Sequence, residues 1–405
     1  MNKKIAIIGG GAAGLAAACT IGKGTEVTIY ERNDRVGKKL LSTGNGRCNL
    51  LNTNLSPKQL KSENNNVIPQ VLGSSPVSQI MTFFENLGLL MRIENEGRVY
   101  PLCNQASAVL DVLRYEAAEK GVLIRCDFCV SKITKKGNGF DIQSENGKHT
   151  FADIVILACG GKAAPKTGSD GIGYKLAESL GHSVTRLSPA LVALKSDTAF
   201  TNPLKGIRCK AGIKLISGET ELASESGEIQ FTDYGISGIA AMQLSRHIKN
   251  GCKAVIDFAE EYNKEYILHR IKKAAEKGRE AQELALGIVQ KRVWQQIIKY
   301  ASGISPSTSA NKLSDSDFEK LATAIKALPL NISGTLSWDN AQVTSGGIPL
   351  SEIEPETMKS RITDNLYILG EMLDCDGECG GYNLGWAWLC ALHAGESINK
   401  ELALC

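Results

Sequence analysis

The chain has 405 residues, of which 43% are hydrophobic and 22% are charged. This length suffices for two or three domains with large cores, and the composition is that of an ordinary globular protein. Lys and Arg total 46 against 43 Asp and Glu, giving a formal net charge of +3. Charge therefore indicates neither a nucleic-acid partner nor a membrane partner. The sequence also contains no apolar stretch of the roughly 20 residues that would span a bilayer.

A strand, a glycine-rich turn and a helix open the chain. Residues 5–8 (IAII) form an apolar run that predicts a buried parallel strand. Gly9, Gly11 and Gly14 follow with G-x-G-x-x-G spacing, which permits a tight turn, a close approach to a pyrophosphate and close helix packing. A second strand then ends at Glu31, which could accept both hydroxyls of an adenosine ribose. This order predicts a site for FAD or NAD rather than NADP; the alternative is a tightly packed βαβ unit without a ligand.

The next segment, residues 36–52 (VGKKLLSTGNGRCNLLN), predicts a loop, because glycine, asparagine and serine interrupt every periodicity. Its Lys38, Lys39 and Arg47 could surround an anionic cofactor, although a solvated basic loop is the alternative. The N-terminus imitates a secretory signal, with Lys3-Lys4 before an apolar run. Cleavage there would remove the strand and the glycines, so we expect a cytoplasmic protein.

The remaining pattern predicts an α/β fold with a discontinuous Rossmann-type domain. Residues 53–75 are polar and predict a surface insertion, whereas residues 152–161 predict another buried strand, ending at paired glycines. The glycines of 168–173 lack a following strand and acid, so they predict a turn and helix cap. From 189 to 345 short alternating segments predict an inserted β domain, with a helical subdomain at about 263–326 that could cover the flavin as a substrate lid. We therefore expect residues 1–188 and 346–405 to form the cofactor domain.

Twelve cysteines in an intracellular chain predict thiols rather than a disulfide framework. Cys126 and Cys129 have C-x-x-C spacing but fall in a predicted strand, where their side chains would point to opposite faces, so neither zinc nor redox chemistry is expected there. Cys375 and Cys379 flank a glycine-rich loop. We predict that they are not an obligatory redox pair, because Asp376 and Glu378 would raise a thiol pKa. No metal site is expected.

Taken together, several segments resemble the BaiN-like NAD(P)/FAD-dependent oxidoreductases, with bile-acid-intermediate reductase-like and aminoacetone-oxidase-like members. The segments are IIGGGAAGLAAA, GKKLLSTGNGRCNLLN, GRVYP, LACGGKAAPKTGSDGIGYKLAESLGH, VTSGGIPLSEI and LGEMLDCDGECGGYNLGWAW. One departure is Leu51, where a Thr before Asn52 would be expected. The resemblance implies bound FAD, and the residues that would contact it are Gly9, Gly11, Ala12, Ala13, Gly14, Glu31, Arg32, Lys39, Leu40, Gly46, Arg47, Cys48, Asn49, Val130, Ala158, Gly160, Gly161, Gly370, Glu371, Gly380, Gly381, Tyr382, Asn383 and Leu384.

The predicted function is a flavin reductase that uses NADH or NADPH to reduce a conjugated C=C bond of a hydrophobic small molecule. An oxidase of a small amine and a flavin-bound binding protein without turnover are the alternatives. Tyr382 and Arg98 are candidates for polarising a substrate carbonyl, and the helix that begins near Leu384 could direct its positive end at the reduced flavin. No complete second dinucleotide fold is found in the sequence, so NAD(P)H would have to bind in the open cleft.

Overall fold

A computed structural model of the chain describes residues 2–403. The chain divides into two compact units, Met1–Pro189 with Gln342–Cys405, and Ala190–Ala341. The first unit carries the glycine-rich turn. The second unit is inserted in its sequence between Pro189 and Gln342. Within residues 2–403, every helix falls short of the length and apolarity that crossing a bilayer requires.

The strands and helices of the described residues are numbered in chain order. The strands are β1 (Lys4–Ile8), β2 (Glu26–Tyr30), β3 (Leu51–Asn52), β4 (Leu60–Lys61), β5 (Met91–Ile93), β6 (Arg98–Pro101), β7 (Leu123–Arg125), β8 (Val130–Lys136), β9 (Gly139–Ser144), β10 (His149–Ala152), β11 (Ile154–Leu157), β12 (Ser188–Ala190), β13 (Leu194–Ser196), β14 (Arg208–Ser217), β15 (Thr220–Phe231), β16 (Gly235–Ser237), β17 (Lys253–Asp257), β18 (Leu328–Thr335), β19 (Val343–Ser345), β20 (Leu366–Ile368) and β21 (Asp376–Gly377). The α-helices are α1 (Ala12–Thr20), α2 (Lys38–Ser42), α3 (Ile68–Leu72), α4 (Pro76–Asn86), α5 (Ala106–Glu119), α6 (Ile172–Glu178), α7 (Thr198–Thr201), α8 (Ile239–Gln243), α9 (Lys264–Ala275), α10 (Lys291–Ile297), α11 (Asp315–Lys326) and α12 (Tyr382–Ala403).

A parallel sheet forms the centre of the first unit, with strand order β20-β11-β1-β2-β7. Ile7 lies opposite Ile29 on one side and Ile156 on the other. All three are fully buried, as expected for a parallel sheet that is covered on both faces. The alanine-rich helix α1 is buried along most of its length, and it packs against the long C-terminal helix α12. The predicted α/β class with a Rossmann-type domain is confirmed.

Two local predictions in this unit are wrong. The segment 53–75 is not a surface insertion, because Leu60, Ile68, Val71 and Leu72 are at most 2% exposed. Strand β4 of this segment pairs antiparallel with β21. The prediction failed because the few apolar residues of this mostly polar segment are buried in the core. The segment 36–52 is not wholly a loop either, since its LysLysLeuLeuSer run forms the single-turn helix α2 after a left-handed Gly37.

The Cys126–Cys129 segment also differs from its prediction. It lies between β7 and β8 rather than within a strand, and Asp127 has a positive φ of 52°. The amide of Phe128 donates to the carbonyl oxygen of Glu31 at 2.9 Å. The segment therefore forms a turn that fastens the end of β2, and both thiols are free.

The second unit is a closed antiparallel barrel with strand order β13-β16-β15-β14-β17-β18. The helices α9, α10 and α11 belong to the same unit, and their buried side chains include Trp294 and Leu321. The apolar spacing of residues 236–248 predicts a single helix. In the structure the first of these residues belong to β16, and only α8 and a 3-10 turn follow.

Candidate cofactor site and active site

The three predicted glycines of the first turn have three different environments. Gly9 has φ 110°, and its amide donates to the carbonyl oxygen of Tyr30 at 2.9 Å. A Cβ atom on Gly14 would overlap the carbonyl oxygen of Gly9, so α1 packs directly on the turn. A Cβ atom on Gly11 would meet no atom within 4 Å, and its φ of −85° is open to any residue. Neither packing nor backbone conformation thus requires a glycine at position 11, which leaves open space for a ligand at that point.

A cavity lies over this turn in the first unit. It is bounded by the turn, by the end of β2, by α2, by the loops that follow β11 and β20, and by the start of α12. Of the residues predicted to bind the cofactor, those in the cavity wall are Gly9, Gly11, Ala12, Ala13, Glu31, Lys39, Leu40, Ala158, Gly160, Glu371, Asn383 and Leu384.

Glu31 is 8% exposed, and its carboxylate is largely engaged within the protein. Oε2 accepts the amide N–H of Gly10 at 2.8 Å, and Oε1 accepts the amide N–H and the side-chain Nδ2 of Asn33 at 2.9 and 2.7 Å. An ionised carboxylate offers about four acceptor sites. About one site therefore remains for a ribose hydroxyl, rather than the two that the motif predicts.

Lys39 and Glu371 are 332 residues apart in sequence and form an ion pair in the cavity wall. The Lys39 Nζ lies 2.7 Å from Oε2 of Glu371, with side-chain exposures of 26% and 20%. The other carboxylate oxygen accepts the amide N–H of Thr344 at 2.9 Å. The Thr344 hydroxyl in turn accepts the amides of Lys162 and Ala163 at 2.7 and 3.0 Å. This network joins α2, the loop after β11, β19 and the loop after β20, and so holds the wall of the cavity together.

The first turn of α12 supplies another part of the wall. Gly380 and Gly381 precede it with φ values of 133° and 101°. The side-chain amide of Asn383 donates from Nδ2 to the carbonyl oxygen of Gly377 at 2.9 Å and accepts the Gly377 amide at 2.8 Å through Oδ1. Because the first amides of a helix lack partners within the helix, this terminus presents N–H groups and the positive end of a dipole.

Several predicted cofactor residues lie outside the cavity wall. Arg47 is directed to Glu94 at 2.5 Å and stacks 4.0 Å from the centre of the Tyr100 ring. Cys48 is fully buried, which raises its pKa to about 12, so it is a small buried hydrophobe rather than a reactive thiol. The others that do not line the cavity are Gly14, Arg32, Gly46, Asn49, Val130, Gly161, Gly370, Gly380, Gly381 and Tyr382.

The surroundings of four of these residues are as follows. Arg32 pairs with Asp170. Val130 is a core residue of β8, with 4% exposure. A Cβ atom on Gly370 would lie 3.2 Å from the Cβ of Ala13. The Oδ1 atom of Asn49 is buried without a hydrogen-bond partner in the described chain.

The two predicted catalytic residues both lie near Gly380. The Nε atom of Arg98 is 3.8 Å, and Cε2 of Tyr382 is 3.5 Å, from the point that a Cβ atom on Gly380 would occupy. Burial raises the pKa of the neighbouring Cys379 thiol, and the electrostatic contributions of Arg98 and Glu96 are smaller. The main cause of the raised Cys379 pKa is thus burial, rather than the adjacent Asp376 and Glu378 that the sequence predicts.

Sequence reasoning missed part of the wall. The missed residues are Gly10, Asn33, Gly37, Thr43, Cys159, Thr167, Gly168, Ser169, Gln342, Val343, Leu369, Trp386 and Ala387. The glycine pattern at 168–173 could have indicated part of this wall. It forms the predicted turn and cap of α6, and Gly168 within it also lines the cavity. Gln342 and Val343 carry no local signature, because only the pairing of β12 with β19 brings them to this wall.

The residues present fit a dinucleotide such as FAD. The open space at Gly11 lies at the start of α1, where backbone N–H groups favour a pyrophosphate. Glu31 retains an acceptor site at the end of β2. The cavity extends from the glycine turn to α12. At each of these points the protein leaves space or a hydrogen-bonding site that a bound dinucleotide could use.

Comparison with known proteins identifies the class. Residues 3–397 match the family described as "HI0933-like protein Rossmann domain". The chain belongs to this family, which confirms the membership that the sequence motifs predicted. This membership supports FAD as the bound nucleotide. The chain is an oxidoreductase enzyme.

Among its relatives is the 3-dehydro-bile acid delta(4,6)-reductase of Clostridium scindens, 38% identical over 99% of this chain and 100% of that protein. Two others are the ribosomal RNA dihydrouridine synthases of Haemophilus influenzae and Escherichia coli. Both are 27% identical, over 98% and 94% of this chain and equal shares of their own lengths.

Proposed function

We propose that this enzyme is a FAD-dependent reductase that saturates a C=C bond conjugated to a carbonyl group in a hydrophobic small molecule, with NADH or NADPH as the electron donor. The observation that carries the proposal is the 38% identity, over the full length of both chains, to a relative named for the reduction of such bonds in a bile acid. The dihydrouridine synthases are also named for a product in which a conjugated C=C bond has been saturated.

When bound, FAD supplies hydride transfer, and the protein supplies position and electrostatics. In the overall reaction NAD(P)H gives up a hydride, solvent gives a proton, and the C=C bond becomes a CH–CH bond as NAD(P)⁺ leaves. The glycine turn and Glu31 would hold the nucleotide end of FAD. The start of α12, with Asn383 and Leu384 in the cavity wall, would place the positive end of the helix at the other end.

The donor would bind transiently. Within residues 2–403 the parallel sheet is formed by the strands around a single glycine turn, and no second sheet of this kind accompanies it. NAD(P)H would therefore enter the open cavity, leave after the reduction step, and make room for the acceptor. This order predicts ping-pong kinetics.

A uracil base in RNA is the second candidate acceptor, and the 27% identity to two ribosomal RNA dihydrouridine synthases favours it. Uracil contains the same conjugated C=C–C=O unit as an enone. The formal net charge of +3 argues for a small molecule, because RNA-binding domains are typically strongly basic. Oxidation of a small amine and binding without turnover remain as further outcomes of the test.

The test separates the two half-reactions under anaerobic conditions. The purified protein is expected to be yellow, with one FAD per chain. NADH or NADPH should bleach the flavin absorbance, and a steroid 4,6-dien-3-one should restore it with formation of the saturated product. Reoxidation by unmodified ribosomal RNA instead would assign the second candidate. Bleaching by aminoacetone followed by reoxidation only by air would identify an amine oxidase, and no bleaching by any donor would leave a binding protein.

A further inference from the structure

The Glu31 carboxylate has room for only one of the two hydroxyl groups of an adenosine ribose. It accepts the Gly10 amide on Oε2 at 2.8 Å, and the amide and the side-chain Nδ2 of Asn33 on Oε1 at 2.9 and 2.7 Å. An ionised carboxylate has about four acceptor sites, two on each oxygen. The remaining site is therefore on Oε2, and the second ribose hydroxyl needs a different acceptor.

The side chain of Asn33 is the polar group next to that carboxylate, and both residues line the cofactor cavity. Its Nδ2 atom donates to Oε1 of Glu31 at 2.7 Å and to the carbonyl oxygen of Thr167 at 3.1 Å. An amide nitrogen carries two N–H groups, so these two acceptors use both. The reverse orientation of the amide would direct its oxygen at a carboxylate and a carbonyl, which are both acceptors. The hydrogen bonds thus determine which end of the amide is the oxygen.

The Oδ1 atom of Asn33 is consequently the end of this side chain that can receive a hydroxyl. The Lys38 Nζ atom lies 3.4 Å from it, but is closer to the carboxylate of Asp34, at 2.7 Å. An amide oxygen accepts two hydrogen bonds, so at least one acceptor site remains on Oδ1.

The position of Asn33 is fixed by its neighbours. Its carbonyl oxygen accepts the amide of Asp127 at 2.9 Å. A Cβ atom on Gly168 would overlap Nδ2 of Asn33, so the turn that contains Gly168 packs directly against this side chain. An acceptor that is already held in place loses little conformational entropy when a ligand binds to it.

We propose that Asn33 is a second ribose-binding residue. Its Oδ1 atom accepts one hydroxyl of the adenosine ribose of FAD, and Oε2 of Glu31 accepts the other. Two acceptors on side chains that contact each other match two hydroxyls on adjacent ribose carbons. The inference rests on the proposed function, because it takes FAD as the bound nucleotide, and it assigns to two residues the recognition that the sequence motif assigns to Glu31 alone.

The test uses two FAD analogues, one lacking the 2′ hydroxyl and the other the 3′ hydroxyl of the adenosine ribose. Their Kd values for the apoprotein are measured by titration and divided by that of FAD. In the wild type we expect both analogues to bind more weakly. The loss should be about tenfold or more for the hydroxyl on the charged Glu31, and about 2- to 10-fold for the hydroxyl on the neutral Asn33.

Two substitutions separate the acceptor from the fastening role of the same side chain. Asn33→Leu and Asn33→Asp both remove the N–H groups that contact Glu31 and Thr167, but only leucine also removes the acceptor oxygen. The smaller of the two losses should therefore disappear in Asn33→Leu and persist in Asn33→Asp, whereas the larger should persist in both. Asp34→Asn is the matched control at the next position, where the side chain is 68% exposed, and it should keep both losses.

The outcomes distinguish this inference from the proposed function. An apoprotein that takes up no FAD would overturn the proposed function, and this inference with it. If FAD binds, a wild-type protein that binds either analogue as tightly as FAD would overturn this inference alone, and that result does not depend on the folding of any variant. Retention of both losses in Asn33→Leu, or disappearance of the smaller loss in Asn33→Asp as well, would also overturn it.

Discussion

Replacing Gly11 with Ala should abolish FAD binding without unfolding the protein. The Cβ atom would enter the open space over the glycine turn, where it meets no protein atom within 4 Å. We infer that this space belongs to the pyrophosphate, because the second glycine of the motif lets the backbone approach it. An added methyl group there removes the contact between phosphate and backbone, and we expect FAD binding to weaken by at least about 100-fold, or about 2.7 kcal/mol.

The stability of the protein without FAD should change little. Gly11 has φ −85°, so alanine is not strained there, and it reduces the freedom of the unfolded chain, which stabilises by about 0.4–1 kcal/mol. Gly11 is also the residue that caps α1, where alanine is less favourable than glycine by about 0.5–1 kcal/mol. The two effects oppose each other, so the unfolding free energy of the apoprotein should stay within about 1 kcal/mol of wild type.

Thermal unfolding with and without FAD measures both quantities. At a FAD concentration of 100 Kd the wild type gains about 2.7 kcal/mol, which raises Tm by about 5–10 °C for a domain of this size. The Gly11→Ala protein should have a nearly unchanged Tm without FAD and no increase with it. Gly14→Ala is the matched control, because its Cβ would overlap the carbonyl oxygen of Gly9 and destabilise the apoprotein by about 1–3 kcal/mol or more. A Gly11→Ala protein that binds FAD and gains the wild-type increase in Tm would refute the reasoning.

Three further predictions concern residues in and near the cofactor cavity. Lys39→Met and Glu371→Gln should each weaken FAD binding about tenfold by FAD titration, and the double variant should be no weaker than the worse single variant, because a partly exposed ion pair acts as one unit; additive losses would contradict this. A Cys375→Ser, Cys379→Ser double variant should keep turnover within about tenfold, since burial raises the Cys379 pKa and leaves little thiolate; a loss of several orders of magnitude with normal FAD content would establish a thiol relay. If Tyr382 polarises the substrate carbonyl, as the sequence predicts, the rate of enone-driven reoxidation should be flat from about pH 7 to 9 and fall only above the ordinary phenol pKa of about 10, because burial raises the pKa of Tyr382; a decline centred near pH 8 that Tyr382→Phe abolishes would contradict this prediction.

The sequence alone determined the features that depend on neighbouring residues. The apolar run before Gly9, the glycine spacing and the acid at Glu31 specify β1, α1 and β2, because strand, turn and helix are set by residues within about 30 positions of one another. The helical spacing of apolar residues from Ala106 and the stop signal at Gly121 likewise predict a helix over 106–120 from local sequence, and the structure has α5 at Ala106–Glu119 with Gly121 in the left-handed conformation. The short motif segments also predicted membership of the family. They could do so because each motif specifies the backbone geometry of its own few residues.

Only the tertiary structure decided how those segments meet. The ion pair of Lys39 with Glu371 joins residues 332 positions apart, and the acceptor sites of Glu31 are mostly filled by Gly10 and Asn33. The hydrogen bond from the Asn52 side chain to the carbonyl oxygen of Gly380, 328 positions away, likewise has no local signature. Such contacts depend on the packing of whole elements and on which groups remain unsatisfied after that packing, and neither quantity is encoded in the spacing of neighbouring residues.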